Sequence, residues 1–369
     1  MTEKKKILIF NTYDSQEASF AIKELFAGDD KYLPILFAEY ELRGFVQNLL
    51  AEKMYGDYSP VRSWWRVLKT RVSMRNMDYA ELAPVEYMQK NSRAVSKMKT
   101  FFFKYRPSLV LCLGRKSVLA AITAREKMNL NVKIVALISD YALDKRFIKK
   151  GVDHYVVPML SLKALLMREG VPEECISVIP VLVRKKFMED IDKETATKEL
   201  GLNPKLPTVM IQATYSYNPL TRKLVKYLKK EKLRMNILVA CGYDKGLLAQ
   251  IQEIAAPNIV GRNELMDAHL AYSASDVVVT RPRSENIAMC IAKHKPIITY
   301  DSVGEMEKRI AGVISLDYSV DCNSTEEVMG TLSTFLDNKK AYIKNLAEPV
   351  CGQEEARAAL RSLIDELTV

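Results

Sequence analysis

Short apolar runs recur along the chain, separated by stretches whose apolar positions fall at helical spacing. In the first half the runs are Ile7–Phe10, Leu33–Phe37, Leu109–Leu113, Ile134–Ile138, His154–Val157 and Ile176–Ile179. Ala18, Ile22 and Leu25 mark the inner face of a helix after the first run; Ser117–Met128 predicts a second helix. Ser161–Glu169 predicts a third, stopped by Gly170. Residues 41–106 read as mostly helical and irregular. Apolar runs of this length, alternating with helices, predict parallel strands covered on both faces. Residues 184–207 break the pattern with charges and with Pro204 and Pro207, which places a linker near 184–190. The alternation then resumes: strands at 208–212, 236–240, 259–260, 277–280 and 296–300, with helices at 219–232, 245–254, 263–273 and 284–293. Residues 301–309 read as a charged turn, and helices at 324–337 and 353–367 finish the chain. The expected fold is α/β, with two Rossmann-like domains at 1–185 and 186–369, the helix 353–367 belonging to the second. Ligands of such pairs sit at the carboxyl ends of the strands, in a central cleft between domains.

Composition changes this picture little. Of 369 residues, 48% are hydrophobic and 27% charged, which suits ordinary buried cores. The net charge of +10 favours anionic partners. Six scattered cysteines with no CxxC pair predict buried free thiols in a reducing compartment. Lys4–Lys6 precede only a four-residue apolar run, so neither a signal peptide nor a membrane span is expected, and the location expected is cytoplasmic. His154, His269 and His294 lack metal-ligand spacing, and no metal site is expected.

One segment, 43–106, does alter the expected partners. Between Arg43 and Arg75 lie seven basic and two acidic residues, and both tryptophans, Trp64 and Trp65, stand beside Arg66, Lys69 and Arg71. Tryptophan among cations marks an interfacial helix on an anionic membrane. Lys90–Arg106 adds six basic residues, no acidic ones, and Phe101–Phe103. A packed helix with a solvated basic face is the other reading. Nucleic acid is not the expected partner: no RNA- or DNA-binding signature accompanies the charge.

The stretch 274–309 carries the chemistry: strand, loop, helix, strand. Its loop holds Arg281, Pro282, Arg283, Ser284 and Glu285, followed by Asn286, where a phosphate cradle ordinarily uses glycines. A helix N-terminus attracts anions through its N–H groups and positive end. Arg281 and Arg283 reinforce that field and can grip phosphate oxygens, whereas Glu285 opposes it. After strand 208–212, Thr214 and Ser216 can donate hydrogen bonds and Tyr215 can stack on a ring; Arg262 and Asn263 occupy a further strand-end loop.

Gly151–Phe187 (GVDHYVVPMLSLKALLMREGVPEECISVIPVLVRKKF) resembles the monogalactosyldiacylglycerol synthase and processive diacylglycerol glucosyltransferase family. The resemblance runs over about 105–187 and 207–310, and more weakly over 1–75. It implies a GT-B glycosyltransferase at the membrane surface, with a nucleotide-sugar (UDP-sugar) as co-substrate, a lipid acceptor, and neither cofactor nor metal. By this resemblance Ser15, Gln16, Glu17 and Ala18 replace a glycine-rich loop with a basic histidine, leaving Glu17 or Asp14 as candidate catalytic base or as solvated loop carboxylates. Asp140, in Ser139–Asp140–Tyr141, orients the acceptor hydroxyl or is a plain strand-end residue. Arg281–Pro282 matches a lysine-proline, Arg283 and Ser284 replace two glycines, and Met289 replaces a ribose-binding glutamate. Gly304, Glu305 and Glu307 fall at a turn that touches the sugar. Two other readings stay open: a degenerate GT-B protein that binds a partner or membrane without catalysis, and a transferase whose site is rebuilt around Arg283 and Asn286 for a non-UDP donor.

Overall fold

The buried strands are the apolar runs themselves. The computed structural model describes residues 3–12, 15–42, 93–213, 219–230, 234–242, 244–254, 256–263, 268–302, 304–316, 318–338 and 349–369. The strands are β1 Lys5–Asn11, β2 Tyr32–Ala38, β3 Leu109–Cys112, β4 Lys133–Leu137, β5 His154–Val157, β6 Ile176–Val178, β7 Thr208–Gln212, β8 Asn236–Ala240, β9 Ile259–Arg262, β10 Val277–Thr280, β11 Ile297–Tyr300 and β12 Ser319–Cys322. The α-helices are α1 Gln16–Leu25, α2 Arg93–Tyr105, α3 Arg115–Met128, α4 Leu160–Arg168, α5 Lys185–Met188, α6 Lys193–Glu199, α7 Pro219–Lys230, α8 Lys245–Gln252, α9 Ala268–Ala274, α10 Ser284–Ala292, α11 Gly304–Ile314, α12 Thr325–Asp337 and α13 Gln353–Leu367.

Two units divide the chain. The first holds a six-stranded sheet in the order β2-β1-β3-β4-β5-β6, with every neighbouring pair parallel. Ile7, Leu8, Ile9 and Phe10 of β1 are all fully buried, as a central parallel strand covered on both faces requires. Phe37 stacks on Phe10 and on Phe101, with ring centroids 5.4 and 4.4 Å apart. Part of the Phe101–Phe103 cluster is therefore core: Phe102 is buried with Val95 and Met98, while Phe103 stays 75% exposed.

The second unit carries the order β12-β11-β10-β7-β8-β9, again all parallel. Val209, Ile211, Val277 and Val279 pack with Leu224 of α7, Leu247 and Ile251 of α8, and Val328, Leu332 and Phe335 of α12 on one face. Strand order reverses between β1 and β3 in one sheet and between β7 and β10 in the other. Those reversals open the crevices where α/β sheets bind ligands.

Three features differ from the expectations. The charged turn at 301–309 is part of helix α11, whose inner stripe is Ile310, Ala311 and Ile314. Helix α6 and strand β12 were not expected. The last helix groups with the first unit, not the second: 349–369 joins 93–185 there. Its buried stripe, Ala356, Leu360 and Ile364, explains the need for a partner. Gln353 then grips the end of the first unit, accepting from Val183 N at 3.0 Å and donating to Val181 O at 3.0 Å. Buried Arg357 donates to the carbonyl of Val183. Asp365 accepts from Lys31 at 2.5 Å and from the Tyr32 hydroxyl at 2.7 Å.

Candidate functional site

In the second unit, β10 ends at the strand-order reversal and hands the chain to α10 through Arg281–Pro282–Arg283. The turn is tight: Arg283 N donates to Arg281 O at 2.7 Å. Asn286 reaches back from the first turn of α10 and donates to the Thr280 hydroxyl at 2.8 Å; that hydroxyl donates to Arg281 O. Strand end and helix start are thus braced together. Arg283 is the N-cap and supplies no side-chain cap bond, and Glu285 lies in the first turn. Ser284 is buried.

Arg281 and Glu307 form the strongest polar contact here. The guanidinium meets the carboxylate at 2.7, 2.8 and 3.2 Å. Their side chains are 11% and 18% exposed. Two residues singled out separately, one for phosphate and one for the sugar turn, are each other's partners, joining the β10 loop to α11. Bidentate charge-assisted bonds of this kind are about twice as strong as neutral ones. Glu305 is exposed in the same first turn.

Met289 lies in the core side of α10, 7% exposed, so no ribose carboxylate is replaced by another polar group there. Beneath the loop, Tyr300 bonds Thr221 through its hydroxyl. Burial pushes that phenol above its ordinary range, so it stays protonated. Arg262 is exposed at the end of β9 and donates to Leu200 O at 3.2 Å; Asn263 Oδ1 is buried without a protein partner. Thr214, Tyr215 and Ser216 lie outside the described residues.

Sequence reasoning missed Gln212. It ends β7, directly beside β10, and is 5% exposed. Its Nε2 donates to the Tyr272 hydroxyl at 2.8 Å, and its Oε1 finds no protein partner. A glutamine closing an otherwise apolar strand was the available signal.

In the first unit the residues expected on the acceptor side are more tightly tied. Both Glu17 oxygens accept from Arg184, at 2.7 and 3.0 Å. Those two bonds tie α1 to the end of the first unit. Ala18, at the histidine position, is buried. Ser15 Oγ accepts from Thr12 N at 2.9 Å and closes the turn after β1; Asp14 lies outside the described residues. Asp140 is half-buried at the end of β4, next to buried Tyr141. A second missed residue is Glu39. Its carboxylate accepts from Ser117 N at 2.8 Å, at the start of α3, and passes so close to Gly114 that a Cβ there would lie 2.3 Å from it. Trp64, Trp65, Arg66, Lys69 and Arg71 lie outside the described residues.

Two six-stranded parallel sheets, each with helices from its crossover connections, define the GT-B class. Solved structures agree on the fold. The UDP complex of S. aureus MnaA gives a TM-score of 0.64 at 13% identity, over 98% of this chain and 96% of that one. The UDP-GlcNAc 2-epimerase of Neisseria meningitidis gives 0.63 at 13% identity, over 98% and 100%. Within the class, residues 16–181 match the monogalactosyldiacylglycerol (MGDG) synthase family model. The processive diacylglycerol beta-glucosyltransferase of Staphylococcus carnosus is 25% identical over 260 residues, covering 69% of this chain and 65% of that protein. Its Staphylococcus haemolyticus counterpart is 24% identical over 281 residues, covering 74% and 71%. The family model matches under half of this chain, which spans slightly less than two thirds of the Staphylococcus carnosus relative's length, so the likeness is to these glycolipid glycosyltransferases.

Proposed function

We propose that the chain transfers a sugar from a nucleotide-sugar, with UDP as the carrier, to a lipid or membrane-linked acceptor on the cytoplasmic side of a membrane. The observation that carries this reading is the β10–α10 junction. Arg281 and Arg283 flank the start of a nine-residue helix at the strand-order reversal. In the reaction the acceptor hydroxyl attacks the anomeric carbon, the bond to the diphosphate breaks, and UDP leaves with the electron pair. Charge accumulates on the diphosphate, where the two guanidinium groups and the helix N-terminus lower its energy. Asn286 and Thr280 hold that junction in place. Glu17 and Asp140 are the described carboxylates proposed to receive the acceptor's proton or orient its hydroxyl, Glu17 only after it parts from Arg184. No bound metal or cofactor is required in this scheme.

A peripheral attachment supports the lipid acceptor. No helix among the described residues is long and apolar enough to cross a membrane. Helix α2 instead sets exposed Phe103 beside exposed Lys99 and Lys104.

A second reading has its own observation. The Arg281–Glu307 and Glu17–Arg184 pairs consume groups that donor binding and base catalysis would use. A degenerate binder would keep both pairs closed. Calorimetry with UDP and a panel of nucleotide-sugars separates the readings. Heat with a UDP-sugar, lost in Arg281→Ala, supports the transferase; no heat at millimolar ligand supports the binder; heat with another nucleotide-sugar alone moves the proposal to a different donor.

A further inference from the structure

Gln212 closes β7 at the strand-order reversal and is 5% exposed. Its Oε1 is buried and has no hydrogen-bond partner among the described residues. Strand alternation sets Val209 and Ile211 on the face that packs α7, α8 and α12, and Met210 and Gln212 on the opposite face. Tyr272 of α9 meets Gln212 there, its hydroxyl accepting from Nε2 at 2.8 Å. The same hydroxyl gives its hydrogen to the buried Cys290 thiol of α10. The carboxamide is therefore oriented: nitrogen toward Tyr272, oxygen unpaired.

The β10–α10 junction lies on that side. Gln212 follows the Ile211–Val279 pair, so it stands beside Thr280, one strand spacing or about 4.8 Å away. Thr280 cannot answer it. That hydroxyl donates to Arg281 O and accepts from Asn286 Nδ2 at 2.8 Å. A buried acceptor without a donor destabilises a fold, and native proteins keep few of them. An apolar side chain would close the strand without that cost.

What Oε1 lacks is a hydrogen-bond donor. On the transferase reading the junction receives a diphosphate, whose oxygens are acceptors and cannot supply one. The groups bonded directly to that diphosphate, ribose on one side and hexose on the other, both carry hydroxyls. We propose that Gln212 is a specificity-determining residue of the donor site: Oε1 accepts a hydrogen bond from one hydroxyl of the nucleotide-sugar, on the ribose or on the hexose, next to the phosphates at Arg281 and Arg283. This inference rests on the transferase reading and adds to it a residue that selects the ligand.

The test is calorimetry of wild type and Gln212→Met, which keeps the length of the side chain and removes the amide. The ligands are UDP with its 2′-deoxy and 3′-deoxy analogues, and UDP-glucose with its analogues deoxygenated on the hexose. One deoxy analogue should bind the wild type about tenfold more weakly than its parent. Gln212→Met should bind that parent about tenfold more weakly and no longer distinguish the two. Its Tm should stay close to that of the wild type, because an unpaired acceptor and one hydrogen bond leave together. A ribose analogue showing this pattern assigns the ribose, and a hexose analogue the hexose. Parent ligands that bind Gln212→Met within about twofold of wild type overturn the proposal. So does equal weakening of every ligand, deoxy analogues included, which assigns Gln212 to the positioning of α10. If Gln212→Met does not fold, the wild type still decides: deoxy analogues all within about twofold of their parents overturn the proposal. Each of these results leaves the transferase reading standing, whereas a wild type that binds none of the ligands overturns that reading and this inference with it.

Discussion

Replacing Glu307 with Gln should strengthen UDP binding, although it removes a polar residue at the site. Glu307 holds Arg281 by three contacts of 2.7–3.2 Å. A diphosphate reaching Arg281 must compete with that carboxylate for the same guanidinium N–H groups. A hydrogen bond to a charged partner contributes about 1.5–3 kcal/mol, so the internal competitor can cost about ten- to a hundredfold in affinity. Gln keeps the shape but loses the charge and one acceptor geometry, so we expect UDP affinity to rise by about three- to tenfold. Stability should move the other way. Leaving Arg281 charged and only 11% exposed without its partner costs about 1–3 kcal/mol, or a fall of several degrees in Tm for a unit of this size. Calorimetry with UDP and with UDP-sugar at fixed ionic strength, alongside a thermal melt, reads both effects. If Glu307 itself binds the sugar, Glu307→Gln will weaken UDP-sugar while strengthening UDP. Weaker UDP binding in Glu307→Gln, or unchanged binding in Arg281→Ala, would refute the competition argument.

Other outcomes follow from the first unit. Glu17→Gln should lower Tm slightly and leave turnover within about threefold; a fall of a hundredfold with the fold intact would restore Glu17 as the base. Gly114→Ala should cost about 1–3 kcal/mol, because a Cβ there meets the Glu39 carboxylate at 2.3 Å and Thr12 Cγ2 at 2.7 Å, and an unchanged melt would contradict that packing. Asp365 is held down to about 2 from 3.8, first by its bond from Lys31 and then by that from Tyr32. Because its folded value is depressed, its contribution to stability is complete above 3.8 and disappears as pH falls through about 2. The Tm difference between wild type and Asp365→Asn should be flat near neutral pH and narrow across that acid window; a difference growing with acidity would reverse the sign.

The strands were legible because a parallel strand covered on both faces is a continuous apolar run, as Ile7–Phe10 is. Strand β12 was not, since Ser319 and Cys322 are its buried positions and neither makes an apolar run. In α11, Glu305, Glu307, Lys308 and Arg309 crowd the first two turns and hide the stripe that begins at Ile310. Placement of α13 depends on Gln353 and Arg357 meeting residues 170 or more positions away, which no local pattern encodes. The site was legible as residues but not as pairs. Arg281 and Glu307 were both singled out, yet their bond spans 26 positions; Glu17 was singled out while Arg184, 167 positions on, was read as linker.

The central claim is that the braced β10–α10 junction supports sugar transfer to a lipid. Its most direct test is transfer of labelled sugar from UDP-sugars into organic-soluble product, using anionic vesicles that contain diacylglycerol or a bacterial lipid extract. The account predicts labelled lipid with the wild type and about ten- to a hundredfold less, on the order of a lost charge-assisted phosphate contact, with Arg281→Ala. Labelled lipid formed equally by both proteins, or by neither with any UDP-sugar, would contradict it.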